Sequence, residues 1–386
     1  MDVGNRPRFL LLLALLPIFL GGLYLSSRLT LADHFYRAHP PTRALALAPW
    51  NTSYRLRDAS PDDLRSIVEH NPAASFRSGP WIALALSEEA AGDAAAAEKH
   101  FLHAVTLDAT FAPRWALINF YLRQERKADF WKWSADGVRL FEGDLTGVYR
   151  LAIAEGGAGQ AWIRLQPKRP AALRQFLNLT LTLSDLPPSG AAAALAGHGR
   201  DSDRAQLLSY CERALKVGQV DAAVLVWNAM ASRGLHPLGR LDPIRGPILS
   251  NGAFRHRPSG AGFDWRLPAA SAGSIHLSAR GLAIELSGRQ EDRVVLLRQI
   301  LPVCSAVRYR LSAKVIPGNG AVLEGLYWRI GPQASPRLSK SQAPWEFVPL
   351  PPGQATVLEL VAERESGRPR PEGSLAIEQV DIRPLQ

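Results

Sequence analysis

The residue types best suited to chemistry gather in one Gly-rich run, from Asn251-Gly-Ala-Phe254 to Gly262-Phe-Asp-Trp-Arg266. Aromatic faces stack on the C–H patches of sugars, while carboxylates, amides and guanidinium groups bond sugar hydroxyls. Asp264, Trp265 and Arg266 offer that set within three residues, and Tyr327, Arg329 and Trp345 offer it again further along. These six are the candidate ligand contacts. Each also has a plain structural use: a Trp readily plugs a core and an Asp readily caps a turn. Adjacent strand residues point to opposite faces, so Tyr327 and Trp328 cannot both face outward. For Trp265 the core reading leads, because so large a side chain is easily recruited to an interior.

No pattern for catalysis emerges. His100 and His103 share a helix face without a third ligand for zinc, and read as solvated. Gly156-Gly-Ala-Gly159 follows a helical run rather than a strand, which argues against a dinucleotide loop. The chain has no Ser elbow, Walker loop or Cys-x-x-Cys. Glu359, Glu363 and Glu365 would need a defined separation to act as a glycosidase pair. Catalytic residues, metal and cofactor are each read as none, and the protein as non-enzymatic. Cys211 and Cys304 stand one in each half and read as core fillers rather than a bridge.

What must position the candidate residues is a chain of two characters, helical before the Gly-rich run and strand-like after it. Arg6 and Arg8 precede Phe9–Ser27, an uncharged run closed by Arg28. As a helix it would be about 28 Å long, close to a hydrocarbon core. Residues 1–28 are therefore expected to form a single N-terminal membrane anchor. The positive flank should stay cytoplasmic, which places the bulk of the chain on the periplasmic side of an inner membrane. Thr30-Leu-Ala32 is a passable cleavage site, but the apolar run exceeds a usual signal core. The net charge of +10 divides evenly between residues 1–250 and 251–386. Such a spread argues against the clustered basic stripe of a nucleic-acid binder.

Between the anchor and the Gly-rich run there is a repeat. Trp81, Trp115 and Tyr149 are spaced 34 residues apart. Trp81, Leu84, Ala85, Gly92, Ala97, Phe101 and Ala104 alternate large and small residues as two antiparallel helices require, with Gly92 closing the turn. Ile118, Trp131, Ala135 and Val138 continue the pattern, with Arg126 at the turn. A further unit is legible at Leu207, Tyr210, Cys211, Gly218, Ala223, Trp227 and Met230, and 186–204 reads as a loop or loose helix. Residues 241–250 read as a Pro-rich linker. Seven alternating runs follow: Ser274–Ser278, Leu282–Ser287, Arg293–Leu301, Val307–Ile316, Val322–Ile330, Thr356–Ala362 and Ser374–Ile382. Turns at Pro317-Gly-Asn-Gly320 and Pro349–Gly353 punctuate them, and together they suggest an antiparallel β-sandwich.

The repeat spacing resembles tetratricopeptide solenoids over 29–240. The order Asn251-Gly-Ala-Phe254, Leu297-Arg-Gln299, Tyr309-Arg-Leu311 and Ile377-Glu-Gln-Val380-Asp-Ile382 over 251–386 resembles the jelly-roll of carbohydrate-binding modules of the galactose-binding-like group. Glu378-Gln379 departs from the acidic pair common there, and Asn251, Glu378 and Asp381 supply too few oxygens for calcium. The whole arrangement is similar to membrane-anchored bacterial repeat proteins associated with exopolysaccharide or O-antigen production. That resemblance implies a tethered envelope protein binding a polysaccharide, a partner protein, or both. A scaffold working through the solenoid groove beside a purely structural β-sandwich is the alternative, and a β-sandwich hydrolase a third.

Overall fold

A computed structural model describes residues 6–37, 42–49, 51–56, 59–183, 186–267, 274–305, 307–318, 323–338, 343–349 and 356–385, with residues 6–15, 52, 53 and 73 described by their backbone alone. Asn319-Gly320 and 350–353 of the expected turns, and Val322 of the expected fifth strand, lie outside the described residues. The chain is helical first and then forms antiparallel sheets. It divides into two compact units at Phe141/Glu142.

Among the described residues, the regular structure of the first unit is all helix. α1 runs Arg6–Arg37; among the described residues no helix is long and apolar enough to cross a membrane. Two short helices, α2 (Thr42–Leu47) and α3 (Thr52–Leu56), lead to α4 (Pro61–His70). α4 starts where its sequence dictates. The Ser60 hydroxyl accepts the Asp63 N–H, and the Asp63 carboxylate accepts the Ser60 N–H in return, both at 3.2 Å. Pro61 occupies the first turn, where no N–H is missed. A one-turn helix, α5 (Pro72–Ser75), precedes two pairs: α6 (Ser78–Ala90) with α7 (Ala94–Leu107), and α8 (Phe111–Arg123) with α9 (Lys127–Leu140).

In both pairs the turn closes in the same way. The residue after a left-handed position donates its N–H five residues back: Asp93 to Glu88 at 2.9 Å, and Arg126 to Tyr121 at 3.0 Å. This is the bond that satisfies the orphan carbonyls of a helix end. The left-handed residue is Gly92 in the first pair and Glu125, not Arg126, in the second. The helix after that turn is shifted accordingly. Its buried positions are Phe130, Ser134, Gly137 and Val138; the first three fall 33 residues after Ala97, Phe101 and Ala104, while Val138 falls at the expected 34 after Ala104. Trp131 and Ala135, which a strict 34-residue spacing would bury, are only half-buried.

The second unit opens with five helices: α10 (Thr146–Leu165), α11 (Pro170–Thr182), α12 (Ser189–Ala196), α13 (Arg204–Lys216) and α14 (Val220–Ser232). α10 breaks its helical geometry at Gly157, whose φ is 75°. α12 occupies the stretch read as a loop or loose helix, and buries Ala191, Ala192, Leu195 and Ala196. Gln219 donates to Ala214 and Leu235 to Met230, so the turns after α13 and α14 repeat the closing bond of the first unit, here with Gly218 and Gly234 in the left-handed position.

The strands follow as β1 (Ser274–Ser278), β2 (Gly281–Ser287), β3 (Arg293–Leu301), β4 (Tyr309–Pro317), β5 (Leu326–Ile330), β6 (Gln333–Ala334), β7 (Trp345–Phe347), β8 (Thr356–Glu363) and β9 (Glu372–Pro384). One sheet has the order β1-β2-β9-β4-β7 and the other β3-β8-β5-β6; every pairing is antiparallel. Leu282 and Ile284 of the first sheet share one apolar core with Leu296, Trp328 and Leu358 of the second. Residues 241–250 are anchored at both ends, with Ile244 exposed between. Leu241 belongs to the helical core and Ile248 and Leu249 to the sheet core. The Asn228 side chain holds Leu241 by both backbone groups, each at 2.8 Å.

Candidate functional site

The Gly-rich run joins the last helices to the sheets by placing alternate residues in different cores. Phe263 is buried in the helical core beside Trp227, ring centroids 5.7 Å apart. Trp265 is buried in the sheet core, between Phe254 at 5.4 Å and Trp328 at 6.3 Å. Two glycines make the approach. A Cβ on Gly262 would lie 2.5 Å from a Trp227 ring carbon, and one on Gly252 would lie 2.1 Å from the Val380 carbonyl oxygen. With no side chain there, Gly252 accepts the Val380 N–H at 2.8 Å and fixes the run to β9.

Asp264 organises the loop from inside. Its carboxylate accepts the N–H of Ser259 at 2.7 Å, the N–H of Trp265 at 2.8 Å and the Asn251 amide at 3.3 Å. Gln299, fully buried on β3, donates to the Ser250 carbonyl at 3.1 Å, the Ser250 hydroxyl at 2.9 Å and the Phe263 carbonyl. Arg266 then pairs with β3 by backbone, its N–H donating to Arg298 at 2.8 Å and its carbonyl accepting in return at 3.1 Å. Glu212 on α13 receives both the Gly262 N–H and the Arg266 guanidinium, the latter at 2.7 Å.

The six candidate residues do not form one site. Asp264 and Trp265 are interior, so neither offers a face to a ligand here. Arg266 borders a groove. Tyr327 and Arg329 are on β5. Tyr327 takes the face opposite Trp328, but the Arg337 guanidinium covers its ring at 4.2 Å and its hydroxyl donates to Glu363 at 2.7 Å. Burial, then the bond to Glu363, pushes the Tyr327 hydroxyl pKa up; that same bond holds the Glu363 carboxyl down, with Arg293 and Arg337 beside it. Arg329 is paired with Glu359 at 2.8 Å. Trp345 lies on β7 in the other sheet, half-buried against the core.

Side chains weighed for catalysis or metal binding are also engaged elsewhere. His100, expected in solvent, faces Glu88 at 2.6 Å from its Nδ1, while His103 is exposed. Glu378 pairs with Lys314 and Asp381 with Arg383. Cys211 and Cys304 are both free. Burial pushes the Cys211 thiol up to about 12, as expected of a core cysteine.

The second unit carries a groove of about 1240 Å³ between α11, α13 and the β3–β8 sheet. Leu181, Leu208, Leu215, Val217, Ile300 and Val357 give it aliphatic walls, and no aromatic residue lines it. Arg213, Lys216, Arg266 and Arg298 stand around it with one carboxylate, Glu212. Sequence reasoning found Arg266 but missed the rest. Glu212 is far from the run in sequence, and no spacing signal connects it to Arg266. No family model matches this chain, and no curated protein is significantly similar to it.

Proposed function

We propose that the protein is a non-catalytic scaffold of the cell envelope, tethered to the inner membrane by its N-terminal segment, that captures a partner protein in the groove between α13 and the β3–β8 sheet. Tetratricopeptide-like repeats and a jelly-roll like those of carbohydrate-binding modules are its building blocks in this reading. The recurring turn bond at Gly92, Glu125, Gly218 and Gly234 supports the first, and the shared core of two antiparallel sheets supports the second. For the tether, support comes from the exposed apolar side chains of α1, among them Ile18, Phe19, Leu23 and Tyr24. A place in cell-surface polysaccharide assembly remains the setting of this proposal.

The observation that carries it is the composition of the groove. Aliphatic walls without a single ring favour a polypeptide over a neutral glycan, whose usual platform is aromatic. The test is a photo-crosslinking residue introduced in living cells at Ser209, which is exposed in the groove, with Arg280 on the β1–β2 turn as control. A protease-sensitive adduct specific to Ser209 is expected. An adduct that resists protease but yields to polysaccharide-degrading enzymes would move the site to the glycan reading. The absence of any Ser209-specific adduct would sink the groove as a partner site.

A further inference from the structure

We infer that the segment held in the groove is an acidic, aliphatic peptide, with carboxylates on Lys216 and Arg298 and Leu, Ile or Val side chains on the walls. This deepens the scaffold proposal and rests on it.

The charge of the groove is unbalanced in a specific way. Glu212 is already committed to the Gly262 N–H and to Arg266. Glu359 sits opposite Arg298 across the β3–β8 pair, yet it is taken from the other side by Arg329. Lys216 and Arg298 are exposed, and neither has a carboxylate within ion-pair distance among the described residues. The Nη1 of Arg266 is buried without a hydrogen-bond partner. Lys216 and Arg298 therefore present unmet positive charge at one groove, while the Arg266 Nη1 is closed off from a partner, and an anionic partner would complement the two exposed cations.

Anionic charge alone does not specify the partner; the walls do. Val217, in the lining, is 55% exposed. It continues the aliphatic surface of Leu208, Leu215, Ile300 and Val357 in the groove. An acidic polysaccharide would meet the cations and leave this surface wet, and a nucleic acid would find no ring on which to stack its bases. The groove also exceeds the roughly 300–1,000 Å³ of a typical small-molecule pocket. A peptide bearing both carboxylates and branched aliphatic residues meets every feature at once.

The full-length protein in detergent micelles would be used to select from a library of random 12-residue peptides. Expected winners carry net negative charge and at least two Leu, Ile or Val residues. Charge reversal by Lys216→Glu or Arg298→Glu should weaken a winner at least tenfold and make its affinity less sensitive to salt, while Arg298→Lys retains most of the binding. Near-identical melting temperatures would show that the variants are folded; should Arg298→Glu not fold, Lys216→Gln serves in its place with a smaller loss. Winners that are neutral or basic, winners indifferent to both reversals, or no winners at all would each overturn the inference. Displacement of an acidic winner by alginate at equal uronate concentration would overturn it in favour of an acidic glycan. If Ser209 crosslinks a protein in cells while peptide selection fails, the groove stands and only its chemistry falls; if neither works, both fall.

Discussion

Asp264 and Trp265 show how far residue type alone can lead. Both have the chemistry of a sugar contact, and both are spent inside the protein. Asp264 is 1% exposed and accepts three donors, two of them backbone N–H groups of its own loop. A short carboxylate folding back on its own backbone is a general property of Asp in turns, but the sequence does not say whether a given Asp is so engaged. The prediction is that Asp264→Ala costs about 3 kcal/mol, since it strands buried donors that had a charged acceptor. Urea unfolding checks it; any affinity of the folded fraction for a groove peptide should hardly move. If stability were unchanged and binding lost, Asp264 would return to the ligand contacts. What the sequence hid is convergence: Glu212 on α13 is ordinary in its own element, and Gln299, visible as part of a strand motif, gives no sign that it will hold Ser250 and Phe263.

Elements were far more legible than contacts. A strand forms within each of the seven expected runs, the fourth from Tyr309 and the fifth only over Leu326–Ile330, because alternation against a shared core leaves little choice of face. β6 and β7, of two and three residues, are too short to carry a period. The helical pairs were legible wherever the turn used Gly. At Glu125 the chain takes a left-handed φ of 55° without one, which hides the one-residue shift that follows. The run from Gly260 to Arg266 gives a test at this scale. Gly260 and Gly262 both have positive φ, but only Gly262 faces a neighbour, the Trp227 ring. Gly260→Ala should cost about 1–2 kcal/mol of left-handed strain. Gly262→Ala adds to this an overpacking term of about 1–3 kcal/mol. Thermal unfolding followed by Trp fluorescence compares the two. Equal losses would mean that the Gly262–Trp227 approach contributes nothing to the joint between helices and sheets.

At the scale of the whole molecule, the compact units do not follow the change from helix to strand. The division falls at Phe141/Glu142, and the last five helices belong with the sheets. Composition could not reveal this, because Leu241, Ile248, Phe263 and Trp265 look alike in sequence and sort into different cores only in three dimensions. The N-terminal tether is the remaining proposal at this scale, and it concerns how the entire chain is held. If Phe9–Ser27 spans the bilayer uncleaved, the native protein retains Met1, stays in the membrane pellet through carbonate extraction, and is attacked by protease only from the periplasmic side. Introducing Phe19→Asp and Leu20→Asp near the middle of the run should cost about 2.5–3.5 kcal/mol per charge in insertion. That is enough to abolish retention and leave the protein unexported in the cytoplasm. A wild-type product recovered in the soluble periplasmic fraction and beginning near Asp33 would show instead that the run is a cleaved export signal. The groove would then act on a partner from solution rather than from the membrane surface.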